Sequence, residues 1–150
     1  MVNDFAGKTA LITGAGRGIG RAVALGLADT GAELILVARS EGQLAQTQAI
    51  LLGRGASAGQ IRVVPAELGD EQQRGHVVAA ALATGRVDIL VNNAATVEPL
   101  GPTAAIPVAE LRRAFELNVI APAALTAAVL PGQAGSGGVA LFTMEMPGLL

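Results

Sequence analysis

The chain has 150 residues, which is enough for one compact domain, and a formal net charge of −2. Its residues are 51% hydrophobic but only 2% aromatic, so we expect an aliphatic core of the kind that packs helices on a parallel sheet. The scattered arginines exclude a nucleic-acid surface, and the absence of cysteine excludes disulfides, thiolate metal sites and thiol nucleophiles.

Neither a signal peptide nor a membrane span is predicted. The first eight residues lack a basic segment followed by an apolar one. The longest apolar stretch, Val119–Leu130, is shorter than the roughly 20 residues that a span needs, and it contains Pro122. We therefore expect a cytoplasmic protein without a membrane partner, in which this stretch is a buried helix.

Short apolar strands alternate with helices along the whole chain. The predicted elements, in chain order, are strand Thr9–Thr13, helix Ile19–Ala28, strand Glu33–Ala38, helix Gln43–Leu52, strand Ile61–Val64, helix Glu71–Ala83, strand Val87–Val91, helix Val108–Leu130 and strand Val139–Thr143. This alternation predicts a single α/β domain over residues 1–150, with a doubly wound parallel sheet and right-handed crossovers.

A glycine-rich segment joins the first predicted strand to the first helix. Its sequence is TGAGRGIG over residues 13–20. Backbone N–H groups and the helix dipole can hold a pyrophosphate at such a turn, and glycine lets the backbone approach it. The spacing differs from G-x-G-x-x-G because position 19 is Ile. The segment predicts a dinucleotide site in a Rossmann-type fold; the alternative is a turn that only packs helix against strand.

The end of the second strand indicates which dinucleotide is bound. An NAD-selective domain has an acid there that binds the ribose 2′-hydroxyl, whereas this chain has Ala38-Arg39-Ser40. Arg39 and Arg17 can pair with a 2′-phosphate, because a guanidinium matches the geometry of phosphate oxygens. The sequence therefore predicts NADP(H); the alternative is that Arg39 is an ordinary exposed arginine.

Asn118 lies in an apolar helical stripe. Helical periodicity places it on one face with Leu111, Phe115, Pro122, Leu125 and Val129. A buried amide without hydrogen bonds costs about 1–3 kcal/mol, so this amide needs a partner. Pro122 has no N–H, so we expect a kink that frees the Asn118 carbonyl to hold a water. The alternative is a helix-packing amide beside an incidental proline.

Three motifs occur together in a fixed order. They are T-G-x-x-x-G-I-G at 13–20, V-N-N-A-A at 91–95 and L-N-V at 117–119, and they resemble the short-chain dehydrogenases/reductases. Segments 92–100 and 38–40 further resemble the sepiapterin-reductase-like and diketone-reductase-like members. The resemblance covers the whole chain and implies hydride transfer between NADP(H) and a small carbonyl or alcohol.

The resemblance also implies a role for individual residues. Gly14, Arg17, Gly18, Ile19 and Gly20 would line the pyrophosphate and adenosine side. Arg39 and Ser40 would take the 2′-phosphate, and Glu67 and Leu68 would flank the adenine. Asn92 and Ala94 would support the nicotinamide-side ribose and the fourth strand, although an Asx turn is the alternative for the asparagines. Asn118 would be the asparagine of the catalytic tetrad. The chain departs from the family at Glu67, where Asp is usual, and at Ala95, where Gly is usual.

The other catalytic groups of the family are missing from the sequence. Members use Ser, Tyr and Lys with the asparagine, but this chain has no tyrosine, and its only lysine is Lys8, beside the first strand. The family serine would stand at about Met144, and strand alternation aims Thr143 differently. The single histidine, His76, is expected to be solvated, and no spacing of His, Asp and Glu predicts a metal site.

We therefore expect the N-terminal part of an NADP(H)-dependent carbonyl reductase or alcohol dehydrogenase, truncated after the fifth strand and catalytically incomplete. An open sheet edge and an open apolar helix face would follow from this truncation. The full-length form could be a homo-oligomer. The alternatives are a non-catalytic NADP(H)-binding module and a relic without a stable fold.

Overall fold

The computed structural model describes residues 4–133 and 137–143. The helices and strands are β1 Thr9–Thr13, α1 Gly18–Asp29, β2 Glu33–Ala38, α2 Glu41–Gly53, β3 Ile61–Pro65, α3 Glu71–Leu82, β4 Ile89–Asn92, α4 Val108–Phe115, α5 Ala121–Gln133 and β5 Val139–Phe142. Residues Glu116–Ile120 between α4 and α5 are π-helical, and 3₁₀ turns cover Ala58–Gln60 and Thr103–Ala105.

All five described strands form one parallel sheet in the order β3-β2-β1-β4-β5. The central strand β1 has β2 on one side and β4 on the other, with Leu11 opposite both Ile35 and Leu90. The strand order therefore reverses beside β1, and ligands of open α/β sheets bind at the carboxyl end of such a reversal. The predicted Rossmann-type, doubly wound sheet is confirmed.

Helices cover both faces of the sheet, and the core is aliphatic as predicted. Alternate residues of β1 point to opposite faces. Leu11 packs in a cluster with Val77 of α3 and Leu125 of α5. Ile12 packs in a second cluster with Leu44 of α2. The two clusters lie on opposite sides of the sheet and hold its strand ends in fixed positions.

The long predicted helix is interrupted by one π-helical turn. The N–H of Ala121 donates to the carbonyl of Glu116, five residues earlier, instead of four. This turn directly precedes Pro122, which lacks an N–H, at the place where the sequence predicts a kink. The chain thus changes its hydrogen-bonding pattern there, and the extra residue rotates α5 relative to α4.

The predicted buried face of this helix is partly wrong. Phe115 is 62% exposed and Asn118 is also exposed, whereas Ala121, Leu125 and Val129 are buried against the sheet. The π-helical turn explains why the buried face differs from the prediction, because its extra residue shifts the 3.6-residue period of α5 relative to that of α4.

The run Val108–Gln133 has 26 helical residues and is long and apolar enough to cross a membrane by length and composition alone. The apolar segment is thus longer than the sequence stretch Val119–Leu130 suggests. Only 17% of the apolar window in this run is buried, so the expectation of a buried helix is correct only for the face of α5 that packs on the sheet.

Apolar side chains remain exposed around β5 and the outer side of α5. Val139 of β5 is 56% exposed and Phe142 is 60% exposed. Val119 and Leu130 are exposed by 49% and 52%. Among the described residues, apolar surface is therefore exposed on the β5 side of the sheet.

Candidate functional site

A cleft of about 360 Å³ opens at the carboxyl ends of β1 to β4, where the strand order reverses. The predicted site residues that line it are Gly14, Arg17, Arg39, Ser40, Glu67, Leu68 and Ala94. Ligand sites commonly have volumes from about 300 Å³ upward. Residues from four separate segments of the sequence therefore meet in one concave site.

The geometry of the turn between β1 and α1 requires glycine at several positions. Gly14 has φ +67°, a conformation that side chains disfavour. A Cβ on Gly20 would lie 2.3 Å from the carbonyl oxygen of Gly14, so the first turn of α1 packs directly against the glycine turn. Gly18, Ile19 and Gly20 form this first helical turn and do not line the cleft.

Two side chains outside the cleft hold the carbonyl groups of the glycine turn. The buried hydroxyl of Thr47 donates to the carbonyl of Ala15, at 3.0 Å. Arg21 donates from Nε to the Thr47 hydroxyl, at 2.9 Å, and from Nη2 to the carbonyl of Gly16. The path of the turn is thus fixed by α1 and α2 together.

The N-terminus of α1 differs from those of its neighbours. Ser40 caps α2 by accepting from the N–H of Gln43, at 3.2 Å, and Asp70 caps α3 in the same way, at 2.9 Å. At α1 the capping residue is Arg17, which makes no side-chain capping bond, and the first turn has no acid. The positive end of this helix dipole is therefore not neutralised by a carboxylate, which suits a phosphate group.

The hydroxyl of Thr13 joins two of the sequence motifs. It donates to the carbonyl of Val91, at 3.3 Å, and accepts from the N–H groups of Asn93 and Ala94, each at 3.0 Å. Thr13 is 1% exposed, so water does not replace these bonds. The end of β4 is therefore fixed relative to the glycine turn.

Asn93 lines the cleft, whereas the residue predicted from the sequence is its neighbour Asn92. Asn93 donates from Nδ2 to the Gly14 carbonyl, at 3.3 Å, and its Oδ1 accepts from the hydroxyl of Thr143, at 2.7 Å. Asn92 instead lies buried behind the cleft, where Nδ2 donates to the hydroxyl of Thr126, at 3.3 Å. Strand alternation is the signal that separates the two asparagines.

Several other cleft residues lie outside the set that the sequence predicts. They are Gly16, Ala38, Gln43, Ala66, Ala95 and Leu117. Most of these residues are sequence neighbours of a predicted residue at a strand end. The sequence therefore predicts which strand ends line the cleft better than it predicts the individual lining residues.

Asn118 does not line this cleft and is not buried. Its Oδ1 accepts from the N–H of Thr96, at 2.8 Å, and its Nδ2 donates to the Thr96 carbonyl, at 2.7 Å. The expectation of an amide inside a buried stripe is therefore wrong, although the amide does have its partners. Asn118 instead ties the π-helical turn to the loop after β4, beside a shallow apolar groove that Phe142 also lines.

Arg39 and Glu67 meet where the ends of β2 and β3 line the cleft. Nη1 of Arg39 lies 3.4 Å from Oε2 of Glu67. The neighbouring Leu68 is buried, and its carbonyl accepts from Nη1 of Arg74, at 2.8 Å. Arg74 is itself buried and pairs with Glu116 of the π-helical turn, at 2.7 Å. This pair links the wall of the cleft to the helix that carries Asn118.

Lys8 lies at the opposite, amino edge of the sheet. Its Nζ is 3.4 Å from Oδ1 of the buried Asp88, which Arg86 also contacts, at 2.7 Å. Burial raises the pKa of Asp88, but the Thr9 N–H bond and the two cations outweigh burial, and the pKa is lowered overall. Lys8 therefore forms an ion pair with this buried carboxylate and is remote from the cleft.

The remaining polar candidates do not form a second site. His76 is exposed on α3, as the sequence predicts. Across residues 4–133 and 137–143, no three His, Asp or Glu side chains converge as metal ligands would. Position 144, where the family serine is expected, lies outside the described residues.

Comparison with known proteins agrees with this geometry. A family model described as short chain dehydrogenase matches residues 8–149. The chain is 35% identical over 139 residues to the ketoacyl reductase HetN of Nostoc sp., covering 91% of the chain and 47% of that protein.

Two solved structures are similar over nearly the whole chain. A metagenomic short-chain oxidoreductase in complex with NADP has a TM-score of 0.87 and 30% identity, covering 97% of this chain and 66% of that one. A 7α-hydroxysteroid dehydrogenase complexed with NADH has a TM-score of 0.84 and 34% identity, covering 96% and 55%. The chain spans about half the length of the curated relatives it matches. The narrower resemblance to sepiapterin-reductase-like and diketone-reductase-like members stays a prediction.

Proposed function

Because the chain belongs to the short-chain dehydrogenase family, we propose that it is the NADP(H)-binding part of a short-chain oxidoreductase. The reaction would be the reduction of a carbonyl or the oxidation of an alcohol by hydride transfer. The relatives named as a ketoacyl reductase and a 7α-hydroxysteroid dehydrogenase support a substrate of this class.

The bond set of Thr13 is the observation that carries this proposal. Its hydroxyl holds the glycine turn and the loop after β4 together where the strand order reverses, which is where dinucleotides bind in such sheets. The glycine turn and the start of α1 would hold the pyrophosphate, and Arg17 lies beside them in the cleft.

The adenosine end of the cleft supports the choice of NADP(H). Arg39 and Ser40 would bind the 2′-phosphate, with Arg39 74% exposed and able to turn towards a ligand. The adenine would lie between Glu67 and Leu68, and Ala94 would lie near the nicotinamide-side ribose. When bound, the nicotinamide ring supplies or accepts the hydride, and this chain's residues only bind and orient it.

We further propose that the chain binds the cofactor without turning over a substrate by itself. It has no tyrosine to donate a proton, and its only lysine pairs with Asp88 at the other edge of the sheet. Asn118 is the one tetrad member present, and its side chain holds Thr96. The alternative function, a non-catalytic NADP(H)-binding module, would bind the cofactor in the same way. We place either form in the cytoplasm, without a nucleic-acid or membrane partner; a longer form would be free to assemble as a homo-oligomer.

Titration of the chain with NADPH and NADH tests the proposal. The chain has no Trp or Tyr, so the fluorescence of the reduced nicotinamide is read against little protein emission. We expect NADPH to bind, and Arg39→Gln to weaken it roughly tenfold, because a charge-assisted bond to phosphate is worth about 1.5 kcal/mol.

Arg54→Gln is the matched control. Arg54 is half-exposed at the far end of α2, where it pairs with Asp29, so the same loss of charge should leave NADPH binding unchanged. Absence of NADPH binding to the folded chain, or an equal effect of both substitutions, would refute the proposal.

A further inference from the structure

Glu67 and Arg39 leave adjacent strands at the same edge of the sheet. β2 and β3 are parallel, with Ala38 opposite Pro65, and the N–H of Ala66 donates to the carbonyl of Ala38, at 3.0 Å. Arg39, which follows Ala38, and Glu67, which follows Ala66, therefore emerge side by side, although they are 28 positions apart in the sequence.

Glu67 is the more fixed member of this pair. Its Oε1 accepts from the N–H of Gly69, at 3.1 Å, and its own N–H donates to Oε1 of Gln73, at 2.8 Å. Its side chain is 39% exposed, compared with 74% for Arg39. The carboxylate is thus held by the backbone, and its second oxygen is left to engage Arg39.

We propose that Glu67 determines the balance between NAD(H) and NADP(H), and that the cleft accepts both. This inference rests on the proposed binding of a dinucleotide in the cleft. In NAD-selective sheets an acid at the end of the second strand accepts the ribose 2′-hydroxyl. Here that strand ends in Arg39, and the acid comes from the end of β3 instead.

The carboxylate of Glu67 also lowers the affinity of the cleft for NADP(H). A 2′-phosphate has to displace the Glu67 carboxylate from the guanidinium of Arg39. The negative charge of Glu67 also repels the phosphate. The competing pair is largely solvent-exposed, so it reduces NADP(H) affinity by no more than about fivefold. Glu67 therefore narrows the preference for NADP(H) without reversing it.

Glu67→Gln separates the two effects because it keeps the shape of the side chain and removes its charge. We expect NADPH to bind roughly threefold to fivefold more tightly, because Arg39 is released. NADH should bind a few-fold more weakly, because a neutral amide accepts a hydroxyl less strongly than a carboxylate does. The ratio of the two affinities should therefore rise about tenfold.

Two further variants make the test specific. Glu67→Asp keeps the charge but is one methylene shorter, so it should shift the ratio in the same direction and by less. Glu33→Gln removes an exposed carboxylate at the amino end of β2 and should leave the ratio unchanged. Both dissociation constants are measured by nicotinamide fluorescence, on variants that show the urea transition of the original chain.

The outcomes distinguish this inference from the function on which it rests. If the original chain binds a cofactor and Glu67→Gln leaves the ratio unchanged or moves it towards NADH, the inference about Glu67 is overturned and the proposed function stands. An opposite shift in Glu67→Asp also overturns it. If the folded chain binds neither NADPH nor NADH, both proposals are overturned.

Discussion

Thr13→Val removes one hydroxyl and leaves the shape of the side chain almost unchanged. The N–H groups of Asn93 and Ala94 lose their acceptor, and the Val91 carbonyl loses a donor. An unsatisfied buried group costs about 1–3 kcal/mol, and both amides are only partly buried, so we expect a total loss of about 2–4 kcal/mol. This is a large share of the roughly 5–15 kcal/mol that stabilises a typical domain.

Urea unfolding followed by far-UV circular dichroism measures this loss, because the chain has no Trp or Tyr to report by fluorescence. The midpoint should fall while the slope with urea concentration stays the same. Thr84→Val is the control: that hydroxyl makes one bond, to the Ala81 carbonyl near the end of α3, and its loss should cost about 0.5–1 kcal/mol. Equal costs for the two substitutions would refute the role assigned to Thr13.

Two further predictions concern other parts of the fold. Since the pKa of Asp88 is lower in the folded chain, its stabilising effect is present above its unfolded pKa of about 3.9 and is lost as pH falls through the folded value. Asp88→Asn should therefore flatten the acid side of the stability profile measured by urea unfolding, and an unchanged profile would contradict this. Asn118→Ala should speed amide hydrogen exchange at Thr96, and Asn118→Asp should do so less because it keeps the acceptor for that N–H. Equal Thr96 exchange in the original chain and Asn118→Ala would contradict the second prediction.

The sequence predicts the sheet well because its strands are short apolar runs that end in turns. β1 and β2 begin and end where the sequence predicts. β4 starts at Ile89, two residues later than predicted, although the backbone of Asp88 already forms hydrogen bonds with Thr9 of β1 and Val139 of β5. The position of the cleft follows from the reversal of the strand order beside β1, which fits the predicted doubly wound sheet.

The features that the sequence does not predict depend on three-dimensional packing. Periodicity places Phe115 on an apolar helix face but does not show whether other residues cover that face. The π-helical turn then changes the face on which Phe115 lies. Strand alternation places neighbouring asparagines on opposite faces, but only the three-dimensional structure shows that Asn93 is the one that faces the cleft. The contact between Arg39 and Glu67 likewise depends on the register of β2 with β3.

Amide hydrogen exchange of the chain with and without NADPH tests the central claim most directly, because it shows both that the cofactor binds and where. We predict that NADPH slows exchange at residues 14–20 and 93–95, whose backbone forms the glycine turn, the start of α1 and the loop after β4. Amides beside Asp88 at the amino edge should be unaffected. Unchanged exchange at saturating NADPH, or protection only at the amino edge, would contradict the claim that this cleft is a dinucleotide site.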